Sequence, residues 1–139
     1  MMLEKEVYVR VAFVIIYLVV DVAYVLMSRG VYEGRVKVIQ GNGYPPKALS
    51  IPVAGLAYVF MAIAWWVLVA ERLSRSSSMT EALRLAIVFS LAVYGVFNAT
   101  LYVMFDEWNG VIFMRDLAWG MTWLSTLTLL YTFALRRFV

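Results

Sequence analysis

The chain has 139 residues, 64% of them apolar and 15% charged, with a mean hydropathy of +0.82 and a formal charge of +3. A soluble domain of this length would have too little polar surface to cover itself, so the composition indicates an all-α, multi-span integral membrane protein. Cysteine and histidine are both absent, which excludes disulfides, thiol chemistry, zinc sites of the usual kind and histidine-ligated haem.

From Val7 to about Met27 the sequence is almost entirely apolar, long enough at 1.5 Å per residue to cross a hydrocarbon core of roughly 30 Å. Asp21 interrupts it. A cleaved signal peptide is the competing reading, but Glu4 and Glu6 flank Lys5 and no small-x-small cleavage site follows, so the segment is expected to stay as a first helix over 7–27.

The long connection 29–47 admits two readings. Tyr32, Val36 and Ile39 recur at helical spacing while Glu33, Arg35 and Lys37 fall elsewhere, which suits a short amphipathic helix in the headgroup layer. An irregular solvated loop is the other. Gly41, Asn42, Gly43, Tyr44, Pro45 and Pro46 then read as a turn.

A second helix is expected over 48–70, with Pro52 in its first turn where the missing amide donor costs little. Ser78 and Glu81 have capping-box spacing, placing a third helix over 79–104. The fourth is expected over 111–137. One transmembrane four-helix bundle follows, with both termini on one side. Lys5, Arg10, Arg72, Arg75, Arg84, Arg136 and Arg137 lie there, against Arg29, Arg35, Lys37, Lys47 and Arg115 on the other, which favours cytoplasmic termini in the plasma membrane. Basic residues so dispersed serve topology, and no nucleic-acid partner is expected.

The few polar residues within the spans coincide in depth. Asp21 lies about 20 Å along helix one, Asn98 about 25 Å along helix three, and Asp116 about 8 Å into helix four, which runs the other way. All three fall in one layer, nearer the first and third loops. Aromatic residues share their faces: Tyr24 beside Asp21, Tyr94 and Tyr102 beside Asn98, and Trp119 with Gly120 beyond Asp116. Tyr102 and Trp108 read as ordinary interfacial aromatics. An aspartate at mid-membrane costs about 2.5 to 3.5 kcal/mol, so both should face the bundle interior, pair or stay protonated. Arg115 is the one cation near the layer. Adjacent residues on a helix point about 100° apart, so Arg115 is poorly placed for Asp116 and either reaches Asp21 or snorkels outward.

The run Tyr94, Gly95, Val96, Phe97, Asn98, Ala99, Thr100, followed by Trp108 and by Asp116, Leu117, Ala118, Trp119, Gly120, resembles the signature of the small predicted membrane proteins grouped as domain of unknown function 2177. That family has tyrosine, glycine, x, tyrosine, aspartate, x, threonine, asparagine on helix three, and aspartate, x, x, tryptophan, glycine on helix four. Its first helix carries aspartate, x, x, tryptophan, similar to Asp21 and Tyr24. Asn98 stands where the family usually has aspartate, and Leu101 where it has asparagine. The resemblance implies the four-span fold and singles out Asp21, Asn98, Asp116, Trp119 and Gly120. It supplies no activity.

Three functions fit these features. The first is transport or binding of a small polar ligand or a proton, with Asp21, Tyr24, Tyr94, Asn98, Arg115, Asp116, Trp119 and Gly120 as the binding layer; a pore would need a homo-oligomer, since four helices enclose little volume. The second is an accessory subunit whose layer only sets packing and whose outer faces bind another membrane protein. The third and weakest is an intramembrane lipid enzyme using two carboxylates. No lysine lies within a span and no histidine can activate a serine, which excludes a retinal Schiff base and the usual serine nucleophile. No cofactor is expected, and any metal would be a hard cation held by oxygen.

Overall fold

The computed structural model describes residues 2–41, 43 and 50–139, the side chains from residue 4 onward. Helix α1 is Met2–Met27. A single residue, Ser28, separates it from α2, Arg29–Gln40, so the amphipathic helix is the form the connection takes. Tyr32, Val36 and Ile39 are its half-buried face, as their spacing requires. Gly41 ends α2 at φ +73, in the left-handed region, and its N–H returns to the Lys37 carbonyl at 2.9 Å. This is a helix stop that a side chain would strain. Of the expected turn, Asn42, Tyr44, Pro45 and Pro46 lie outside the described residues, as do Lys47 and the expected start of the next span at Ala48.

Helix α3 is Ser50–Leu68, with Pro52 in its first turn, and a tighter turn over Ala70–Arg72 follows. Ser78 caps α4, Met79–Ser90, accepting the Glu81 N–H at 3.0 Å. A π turn over Leu91–Gly95 then leads into α5, Val96–Met104. The expected third helix therefore has the expected length, with one wider turn inside it. Asn109 caps α6, Gly110–Phe138, accepting from the N–H groups of Val111 and Ile112 at 3.1 and 3.2 Å.

Three stretches, Glu4–Met27, Ser50–Arg72 and Met79–Met104, are long and apolar enough to cross a membrane. The fourth, α6, is longer at 29 residues but more polar, and it packs against α1, α4, the π turn and α5. Its buried residues Ile112, Asp116, Gly120, Leu124, Leu127, Tyr131 and Leu135 follow one another every three or four positions, a helical stripe facing inward. With Tyr17, Trp65, Val69, Ala82 and Phe89, the later members of that stripe form the apolar core, in the half nearer the termini. The outward faces are apolar too. On α3 only Trp65 is buried, and Ile51, Val53, Phe60 and Ile63 are exposed. A surface of that kind suits hydrocarbon, whereas in water it would associate. The fold is an all-α membrane bundle.

The Ser78 cap supplies the one check of local structure. Ser78→Ala should lower stability by about 1 kcal/mol in thermal or denaturant melts, since a helix amide loses its acceptor. Ser78→Asp should retain most of it.

Candidate functional site

Helices α1 and α6 carry the same short pattern, an aspartate and an aromatic residue three positions later: Asp21 with Tyr24, and Asp116 with Trp119. Residues three apart share a helix face. Because the two helices run in opposite directions, each aspartate comes level with the other helix's ring. Trp119 Nε1 donates to Asp21 Oδ1 at 3.0 Å, and the Tyr24 hydroxyl donates to Asp116 Oδ1 at 3.0 Å. Between those bonds the Tyr24 and Trp119 rings stack, with centroids 4.1 Å apart and planes within 4°. Two further hydroxyls complete the set, that of Tyr94 donating to Asp21 Oδ1 and that of Tyr32 to Asp116 Oδ1. Burial, and after it the bond to Asp116, hold the Tyr32 phenol above its ordinary pKa, so it remains a donor.

The two carboxyl groups are only 3% and 6% exposed. All four ring donors are neutral and all bond Oδ1, so among the described residues no ring engages the second oxygen of either carboxyl group. Among the described residues no ion pair joins Arg115 to either aspartate. Its Nη2 donates instead to Ser28 Oγ at 2.9 Å, and its guanidinium lies 5.7 Å from the centre of the Tyr24 ring. Of the two fates expected for Arg115, turning outward is the one observed. A reach to Asp21 is not: among the described residues the Asp21 carboxyl group accepts from Tyr94 and Trp119 instead.

Asn98, 1% exposed, stands beside Asp116 at the edge of the layer. Its amide donates to the Tyr94 carbonyl at 3.0 Å and its Oδ1 accepts from Trp108 Nε1 at 2.9 Å. The π turn carries Tyr94 onto α6 at Gly120, where α6 has no side chain. A Cβ on Gly120 would overlap the Tyr94 ring. Ser90 reinforces the approach, its hydroxyl lying 2.8 Å from the Ala86 carbonyl and 3.0 Å from that of Gly120. Single π turns of this kind recur at functional positions in helices.

All eight expected residues thus fall in one connected region, Arg115 at its outer margin. Two members were not expected. Trp108 is 6% exposed, not interfacial: it is held by Asn98 and its ring stacks 5.9 Å from Tyr32. Tyr32 belongs to the connection whose helical reading was only one of two. Tyr102 is 55% exposed and takes no part in these bonds among the described residues. The second unexpected feature is a cluster at the termini end. Arg10 pairs with Glu6, lies 3.8 Å from Glu71, donates to the Tyr131 hydroxyl at 3.2 Å and covers the Trp66 ring at 5.7 Å. Among the described residues no group of three acidic side chains comes together to hold a metal.

Of the residues quoted for the family signature, Asp21, Tyr24, Tyr94, Asn98, Trp108, Asp116, Trp119 and Gly120 are linked by these contacts, while Val96 and Phe97 face outward. The family model for DUF2177, described as a predicted membrane protein, matches residues 6–133. The chain belongs to the DUF2177 family. No curated protein and no solved structure matches it. Within this DUF2177 chain, Asn98 both donates and accepts, to the Tyr94 carbonyl and from the Trp108 indole.

Gly120 offers the sharpest test of this geometry. Gly120→Ala should destabilise the bundle by about 2 to 3 kcal/mol, through overpacking and loss of the Tyr94 bond to Asp21. In a Tyr94→Leu background the same substitution should cost much less, and a double-mutant cycle of melting free energies measures that coupling.

Proposed function

We propose that this DUF2177 protein binds a small polar ligand or a proton in its intramembrane layer, with Asp21 and Asp116 as the polar determinants, in support of transport or ligand binding. One observation carries the reading. Among the described residues, two buried carboxyl groups stand against a single guanidinium that makes an ion pair with neither, which leaves the layer one positive charge short when both are ionised. A charge deficit inside hydrocarbon is removed by taking up a proton or a cation, since uncompensated buried charge costs several kcal/mol. The second oxygen of each carboxyl group is open to that role as far as the rings are concerned.

A structural role is the competing reading. In it the layer only fixes the order of the helices, and the apolar outer faces of α1 and α3 receive another membrane protein. The ring donors favour the first, because they require an acceptor on Oδ1 and make no demand for charge. We place the protein in the plasma membrane with both termini cytoplasmic, on the distribution of its basic residues.

Asp21→Asn and Asp116→Asn separate the two readings. An asparagine carbonyl still accepts both ring bonds, so for a binding layer each variant should melt in mild detergent at or above the wild-type temperature at several pH values. Sodium or methylammonium chloride, compared at constant ionic strength, should raise the wild-type melting temperature and leave the amide variants unmoved. Lower melting temperatures for both amides, with no cation effect on the wild type, would assign the layer to structure alone.

A further inference from the structure

We infer that α2 is a lid over the Asp116 half of the layer, latched by Tyr32, so that a ligand meets Asp116 first and Asp21 afterwards. The inference rests on the binding role proposed above and adds to it a route and an order.

Helix α2 has no buried residue, whereas α3, α4, α5 and α6 each have at least one. Its polar anchor in the bundle is the Tyr32 hydroxyl on Asp116, with the Tyr32 ring stacked on Trp108 beside it. Next to that anchor the helix stands off from α6. A groove of about 590 Å³ lies between Gly30, Gly34 and Arg35 on α2 and Asn109, Val111 and Ile112 on α6. Among the described residues nothing lies within 4 Å of where a Cβ on Gly30 or Gly34 would stand, so none of them packs on this side of α2. Both ends of the helix are joints: Ser28 is a one-residue break from α1, and Gly41 stops the helix in a left-handed conformation. Among the described residues α2 thus has no fully buried side chain, one side chain hydrogen-bonded into the layer and a joint at each end, and a segment of that kind opens at low free energy.

The other half of the layer is closed differently. Asp21 is covered by Tyr94 and Trp119, both on membrane-crossing helices packed into the bundle. Releasing Tyr32 takes one of two ring donors from Asp116 and none from Asp21. Opening therefore exposes the aspartates in sequence. Trp108, pinned by Asn98, stays as the surface to which Tyr32 returns.

The chain has no cysteine, which permits direct tests of access. Ile112→Cys places a thiol one turn before Asp116, at the groove, and Leu124→Cys places one in the apolar core; both positions are buried. In lipid nanodiscs, adding Tyr32→Phe should speed labelling of Ile112→Cys by a water-soluble thiol reagent about tenfold, the scale set by one hydrogen bond to a carboxyl group. Labelling of Leu124→Cys should stay slow. Amide exchange on the cysteine-free protein is the second measurement: α2 should exchange faster than α4, and faster still in Tyr32→Phe. An unchanged rate at Ile112→Cys, a parallel rise at Leu124→Cys, or an α2 as protected as α4 would each overturn the lid. None of these readings depends on whether cations stabilise the protein, so the lid and the binding role fail separately.

Discussion

Two carboxyl groups inside a membrane bundle must find hydrogen-bond donors that are not themselves charged, and here the donors are four aromatic side chains. The pattern of aspartate followed three residues later by an aromatic ring occurs once on α1 and once on α6. Since the helices are antiparallel, the two patterns satisfy one another, and the stacked Tyr24 and Trp119 rings fill the space between. Sliding either helix by one turn, about 5.4 Å, would break both carboxyl contacts and the stack together. The same few bonds thus set the register of the bundle and hold the chemistry within it. Gly120 and the π turn follow from this arrangement, because Tyr94 reaches Asp21 only by lying across bare backbone on α6.

The two ends of the bundle are closed by different physics. At the termini end opposite charges meet: Arg10 is held by Glu6 and the Tyr131 hydroxyl, near Glu71, over the face of Trp66. Arg136 adds a bond to the Ser77 carbonyl. At the loop end the closing contacts are neutral, a phenol on a carboxyl group and a tyrosine ring on an indole. Charged contacts of that number tie several elements together, while among the described residues of the loop end α2 contributes a half-buried face and no fully buried side chain.

Much of this was legible before any coordinates. Hydropathy and capping residues located the helices, and the rise per residue alone placed Asp21, Asn98 and Asp116 at one depth. Which ring met which aspartate was not legible, because depth says nothing of rotation about the helix axis. Tyr24 was grouped with Asp21, its own neighbour, yet it serves Asp116. Trp108 has the composition and position of a headgroup aromatic, and only the fold of the third loop turns it inward. Tyr32 sits on a helix whose tilt is decided by the break at Ser28. The π turn has no local signature, since Leu91, Ala92, Val93, Tyr94 and Gly95 would continue an ordinary helix. It follows from tertiary contact with Gly120. Arg10 and Glu71 read as topology residues because sequence cannot distinguish a solvated charge from one clasped between helices.

Helix α6 also sets a length. Arg115 and Arg136 are separated by about 32 Å of helix, close to the thickness of a hydrocarbon core. That spacing would let the two guanidinium groups reach opposite headgroup layers, with Asp116 one residue inside the first. With α6 so seated, the depth of the layer would depend on the lipid as much as on the protein. In a thin bilayer Asp116 approaches the water boundary, and in a thick one α6 draws it deeper or the bilayer adapts, each ångström of mismatch costing a fraction of a kcal/mol. The membrane's own thickness becomes a control on how much water the carboxyl groups see.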